Sequence, residues 1–112
     1  MREIRAVIRP EKLQEVLGAL EKAGSPGVTV YQVEGHGRQA GIVEQFRGRE
    51  FRLDLLPKAE VRVVCREEEV ENLIQAISSA ARTGEIGDGK IFVYPVLEAV
   101  RIRSGERGEK AI

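Results

Sequence analysis

Residues 3–9 alternate, with Ile4, Ala6 and Ile8 on one side and Arg5, Val7 and Arg9 on the other, the period of two that marks a strand. Pro10 follows, at a position where a helix start loses no hydrogen bond to proline. Leu13, Val16, Leu17 and Leu20 then recur on one helical face, and Gly24 supplies a stop. Val28, Val30 and Val33 predict a second strand. From Gly35 to about Pro57 no helical or strand period is sustained. Val61 to Cys65 predicts another strand, and Val70, Leu73, Ile74 and Ile77 mark a second helix. A glycine-rich loop and a last extended segment, Ile91 to Arg103, complete the chain's pattern.

The order is strand–helix–strand, long loop, strand–helix–strand. Aligning Ile4–Leu20 with Val61–Ile77 sets Arg5 on Arg62, Val7 on Val64, Arg9 on Arg66, Glu11 on Glu68 and Ala19 on Ala76, a weak internal repeat. Tyr31 and Tyr94 occupy equivalent places, which sheet packing explains. Two similar βαβ halves predict an α+β, ferredoxin-like βαββαβ sandwich, a single domain over residues 1–112. The sheet face opposite the helices is expected to carry enough Val and Ile to favour burial against another copy, so a homo-oligomer is expected.

Composition narrows the function. Eighteen basic and eighteen acidic residues balance, which argues against a general nucleic-acid or anionic-membrane footprint. Cys65, the single cysteine, has no companion for a disulfide or a zinc site and sits in an apolar alternating run, so it reads as core packing. No run approaches membrane-spanning length and the N-terminal residues lack a signal peptide's apolar centre, so a cytoplasmic protein is expected.

The strongest chemistry lies in Thr83-Gly-Glu-Ile-Gly-Asp-Gly-Lys-Ile-Phe92. Glycines let a backbone turn at positive φ and approach a ligand closely, and a lysine adds a point charge for phosphate. Gly84 to Lys90 satisfies the spacing G-x-x-x-x-G-K, but Ile91 stands where a P-loop needs Ser or Thr for magnesium. The order is also reversed, helix then strand instead of strand then helix. This is a candidate phosphate cradle and not a P-loop NTPase. The loop between the halves, with Arg38, Arg47, Arg49, Arg52 and Lys58 among Glu44, Glu50 and Asp54, is either a solvated insertion or a mobile arm that docks on a partner. His36, the only histidine, reads as structural or surface.

With these segments in this order, the chain resembles the PII signal-transduction family, nitrogen regulatory sensors, over essentially its full length. Thr83–Phe92 is similar to the family's B-loop, and Phe46-Arg-Gly-Arg-Glu-Phe51 is a variant of its T-loop motif Tyr-Arg-Gly-Ser/Ala-Glu-Tyr. Gly35-His-Gly-Arg-Gln39, Leu56-Pro-Lys58 and Arg101-Ile-Arg-Ser-Gly-Glu106 support the resemblance. It implies a homotrimer with nucleotide sites between subunits, a T-loop at about 36–56, a B-loop at about 82–90 and a C-terminal loop at about 102–112. ATP and ADP would compete there, and 2-oxoglutarate would join Mg2+ and ATP. By resemblance, Gly87, Asp88, Gly89 and Lys90 cradle the phosphates, while Gly37 and Arg38 close the site from the T-loop base. Thr29 and Val64 lie near the adenine. Arg101 and Arg103, expected on one face of an alternating strand, reach phosphates from the adjoining subunit. Gln39 completes magnesium coordination, and Lys58 pairs with the distal carboxylate of 2-oxoglutarate.

The resemblance further implies a regulator and not an enzyme. Expected partners are an ammonium transporter, glutamine synthetase or its regulators, acetylglutamate kinase, or a nitrogenase-related protein, with membrane contact only through the transporter. Arg47, Arg49 and Phe51 would meet the partner. Phe51 and Arg49 replace residues that relatives modify covalently, and neither has a hydroxyl, so modification there is excluded. Ala40 and His36 replace a frequent lysine and phenylalanine, so packing at the loop base is open to change. Arg62 stands where a glutamate often pairs with the loop lysine, and either repulsion near Lys90 or another anion contact would follow. Two alternatives are a nucleotide sensor without a 2-oxoglutarate response and a ferredoxin-like phosphate-handling enzyme, although no placed nucleophile or general base is evident. An RNA-binding sheet would need exposed stacking aromatics in its central strands, and that motif is missing.

Overall fold

The computed structural model describes residues 1–36, 43–46, 49–52 and 55–112, the second and third stretches for the backbone alone. Strand β1 (Arg2–Ile8) passes through Arg9 and a 3-10 turn at Pro10–Lys12 into helix α1 (Leu13–Lys22), and β2 (Thr29–Gly35) returns. After a short hairpin, β3 (Val43–Phe46) and β4 (Arg49–Arg52), the second half runs β5 (Leu56–Cys65), α2 (Val70–Ala81) and β6 (Lys90–Pro95). Helix α1 ends as its glycine predicts. Gly24 adopts φ +76°, its N–H reaches the Glu21 carbonyl at 3.1 Å and the Ser25 N–H reaches that of Leu20 at 3.0 Å, a Schellman stop. At the other helix's start, the Arg66 N–H donates to Glu69 Oε1 at 3.2 Å.

The four long strands form an antiparallel sheet in the order β2-β5-β1-β6, with β3 and β4 paired apart from it. Both helices cover one face, which gives the ferredoxin-like α+β sandwich. Ile4, Ala6, Ile8, Val61, Val63 and Cys65 point into that layer against Val16 and Leu20 of α1 and Leu73 and Ile77 of α2, all at 2% exposure or less. Each such branched aliphatic side chain contributes about 1.5–3 kcal/mol by leaving water. Cys65 is core, as expected, and burial pushes its thiol up.

Three expectations need correction. The segment between the halves contains the β3–β4 hairpin; strands of four residues among scattered charges are too short for alternation to stand out. Strand β5 starts at Leu56, because Pro57, read as loop, sits opposite Glu34 before pairing with β1 begins at Ala59. The last strand stops at Pro95, and residues 100–107 fold back on themselves. There Val100 bridges Arg107, and the Gly105 N–H reaches the Arg101 carbonyl at 2.7 Å with Gly105 at φ +74°. Arg101 and Arg103 therefore do not alternate along a strand.

The open sheet face also differs from expectation. Beside Val7, Val33 and Val64 it carries Glu3, Arg5, Glu60 and Arg62 with Tyr31, Phe92 and Tyr94, as the registers place them opposite the buried positions. Arg5 lies over the Tyr94 ring at 4.4 Å and donates to Glu3 at 2.6 Å; Arg62 lies over Tyr31 at 4.2 Å and donates to Glu60 at 2.8 Å. The internal repeat thus reappears as a pair of equivalent charge clusters. Among the described residues, no helix is long and apolar enough to cross a membrane.

Candidate functional site

Helix α2 ends at Ala81, Arg82 turns extended, and residues 83–89 form the loop that returns the chain to β6. Three of its glycines, Gly84, Gly87 and Gly89, have φ of +94°, +105° and +100°. At Gly89 even this tolerance is not the whole reason, since a Cβ there would overlap the Val7 carbonyl oxygen. The loop is pressed directly onto the central strand.

Asp88 organises one end of this loop. Its carboxylate accepts the Thr83 N–H at 2.9 Å, the Gly84 N–H at 2.8 Å and the Thr83 hydroxyl, and Arg9 Nε donates to it at 3.1 Å. These donors, the Thr83 groups foremost, hold the Asp88 carboxyl well below the usual carboxylate range. A carboxylate engaged by four donors is an internal anion, so the Asp88 side chain shapes the loop and its backbone N–H is the group left to face outward chemistry.

Two cations grip the other end from the sheet. Arg9 Nη2 donates to the Ile86 carbonyl at 2.9 Å, and Lys58 Nζ donates to that of Gly87 at 2.8 Å. Burial, and then the neighbouring Arg9 charge, pull the Lys58 ammonium below its usual value, with Glu11 and Asp88 opposing. A cleft of about 280 Å³ opens here, lined by His36, Lys58, Gly87, Gly89, Lys90 and Phe92.

Thr29, Val64 and Arg101 meet elsewhere. Together with Arg62 and the C-terminal Ile112 they line a second cleft of about 510 Å³. The two groups lie toward opposite ends of the strands: Thr29 opens β2 and Val64 comes late in β5, whereas Gly35 and Lys58, at the other ends of those two strands, line the loop cleft with Lys90 at the start of β6. Arg101 Nη1 donates to Glu106 at 2.9 Å, while Arg103 is exposed in the turn and lines neither cleft. Arg62 belongs to this second cleft, held by Glu60 and Tyr31; within one chain it does not flank Lys90.

Gly37, Arg38, Gln39 and Arg47 lie outside the described residues, as do the side chains of Arg49 and Phe51. Among the described residues no group of three or more His, Cys, Asp or Glu could hold a metal ion. The residue that sequence reasoning missed is Arg9. Its only sequence signal is its equivalence to Arg66, which in the structure makes local pairs with Glu69 and Glu68.

The profile of the family described as Nitrogen regulatory protein P-II matches residues 1–106. The chain is 55% identical over 112 residues to Nitrogen regulatory protein P-II 2 of Methanothermobacter thermautotrophicus, covering 100% of this chain and 97% of that protein. It is 53% identical to Nitrogen regulatory protein P-II of Azospirillum brasilense and 52% identical to that of Rhodospirillum rubrum, each over 112 residues and 100% of both chains.

Proposed function

The chain belongs to the nitrogen regulatory protein P-II family, and from that premise we propose that it is a homotrimeric regulator, not an enzyme, that reads adenine nucleotides and 2-oxoglutarate and reports them to targets in nitrogen metabolism. The observation that carries this reading is the gripped glycine loop. Ile86 and Gly87 have their carbonyls held by Arg9 and Lys58, and Asp88 is occupied internally, which leaves Lys90 and the backbone of residues 87–89 to meet phosphate.

The second cleft supports a shared site. Thr29, Val64 and Arg101 toward one end of the strands complement the loop toward the other, and complementary patches on different surfaces are what a closed ring of copies requires. In this reading the adenine of ATP or ADP lies against Thr29 and Val64 of one subunit, with Arg101 and Arg103 beside its phosphates. Gly87, Asp88, Gly89 and Lys90 of the neighbour hold the phosphates, closed over by Gly37 and Arg38. Magnesium would enter on the nucleotide with Gln39 as its protein ligand, consistent with oxygen donors and with the lack of a protein-only metal cage among the described residues. Lys58, already at the loop, would take the distal carboxylate of 2-oxoglutarate.

Ligand occupancy would bias the T-loop at about 36–56 between states with different affinity for partners, met through Arg47, Arg49 and Phe51. The partner classes are an ammonium transporter, glutamine synthetase or its regulators, acetylglutamate kinase, or a nitrogenase-related protein. Titration calorimetry tests the core of the reading. Mg-ATP and 2-oxoglutarate should each bind more tightly when the other is present, by the same factor. Mg-ATP binding that is indifferent to 2-oxoglutarate would reduce the protein to a nucleotide sensor, and absence of both would remove the reading.

A further inference from the structure

Within the turn formed by residues 100–107, one carboxylate holds an arginine that the nucleotide reading places beside the phosphates. Glu106 Oε1 accepts from Arg101 Nη1 at 2.9 Å and from the Ser104 hydroxyl at 2.9 Å. The contact joins one nitrogen of the guanidinium to one oxygen of the carboxylate, short of the two parallel bonds that make such pairs strong. The side chains of Arg101 and Glu106 are 40% and 43% exposed, and an ion pair so open to water is weak.

The backbone keeps the two groups adjacent whatever their side chains do. The Arg101 N–H reaches the Glu106 carbonyl at 2.9 Å, the Gly105 N–H reaches that of Arg101 at 2.7 Å, and Val100 bridges Arg107. Gly105, at φ +74°, makes the turn between them. Glu106 is therefore tethered beside Arg101 at a high effective concentration and cannot diffuse away when an anion arrives. Arg101 lines the cleft that holds Thr29 and Val64, so a phosphate brought to its guanidinium meets this carboxylate already in place. A phosphate group carries more charge and takes the arginine fork through two bonds, so it wins the exchange. The displaced carboxylate then stays close by as a like charge.

We propose that Glu106 is an internal competitor for the phosphates of the nucleotide, occupying Arg101 in the empty site and lowering affinity by what its displacement costs. The inference rests on the nucleotide reading above and adds to it a residue that acts against the ligand. Because the pair is half-exposed and singly bonded, it attenuates the site and does not close it.

The test uses full-length wild type, Glu106→Gln, Arg101→Gln and the double variant, with Mg-ATP and ADP affinities read by calorimetry. Glutamine keeps an acceptor oxygen for Ser104 and Arg101 and loses the charge. Glu106→Gln should bind both nucleotides about two- to fivefold more tightly, the worth of an exposed ion pair written as a ratio of dissociation constants. Arg101→Gln should bind them more weakly. On that background Glu106→Gln should bring a much smaller gain, because the carboxylate has no arginine left to withhold. Glu106→Gln binding no tighter than wild type overturns the proposal, and so does an equal gain with and without Arg101. If Arg101→Gln binds too weakly to measure, the Arg101 guanidinium resonances in ligand-free wild type and Glu106→Gln decide, and identical resonances overturn the proposal. If Glu106→Gln does not fold, Glu106→Ala is read in the same way. Wild type that binds neither nucleotide overturns the nucleotide reading and this proposal with it; wild type that binds both, with no gain in the variant, overturns this proposal alone.

Discussion

Two connections bring the chain from helix back to sheet at equivalent places in the repeat, and they have different characters. The first, residues 23–28, is a Schellman stop at Gly24 with open space around it: a Cβ there would meet nothing within 4 Å. The second, residues 82–89, is bound at both ends, by Asp88 to Thr83 and Gly84 and by Arg9 and Lys58 to Ile86 and Gly87, and lies against β1 at Gly89. The same helix-to-strand task is met by a turn in one half and by a preorganised cradle in the other. Symmetry in the fold therefore does not carry symmetry in function. What separates the halves is a loop whose own side chains and neighbours fix its backbone.

The largest effect should come from putting the same methyl group into each connection. Gly89→Ala must displace the Val7 carbonyl from a strained φ and should cost about 3 kcal/mol or more, with loss of nucleotide binding. Gly24→Ala should cost only about 1 kcal/mol, from φ alone, and leave binding intact. Urea denaturation with parallel calorimetry separates them, and equal costs would erase the contrast.

The next effect is in acid. Because Asp88 has a lowered folded-state pKa, its contribution is complete above the ordinary carboxylate value near 4 and is lost as pH falls through the folded one. The stability gap between wild type and Asp88→Asn should therefore be constant from about pH 7 to 5 and shrink below about pH 4. Denaturation midpoints across that range check it, and a gap that widens in acid would contradict the assigned network. The smallest effect sharpens the symmetry itself. Tyr31→Leu and Tyr94→Leu each remove a ring beneath an arginine and should lower the melting temperature by similar, small amounts. A large difference would mean that the two clusters are equivalent in geometry only.

Long periodic segments were legible. Ile4, Ala6 and Ile8 alternate cleanly, Leu73 and Ile77 share a helical face, and Gly24 stops its helix where its lack of a Cβ suggests. The glycine loop was recognisable because Gly87 and Gly89 have a conformational reason to be glycine. Other features depended on contacts that no local pattern encodes. Arg9 is one arginine at a strand end, and its acceptors lie more than seventy residues away. Asp88 reads as one more polar residue near phosphate until its hydrogen bonds show it facing back into the loop. Pro57 read as loop though its strand had already begun, and Arg103 read as strand though Gly105 had already started a turn.

The interleaved strand order has a practical corollary. Every ladder in the four-stranded sheet joins a strand of one half to a strand of the other, and each arginine rests on a tyrosine from the opposite half: Arg5 on Tyr94, Arg62 on Tyr31. Neither βαβ unit has a sheet of its own. A chain severed between β2 and β5 should thus behave as a split protein, whose two fragments are unstructured apart and reconstitute the sandwich when mixed.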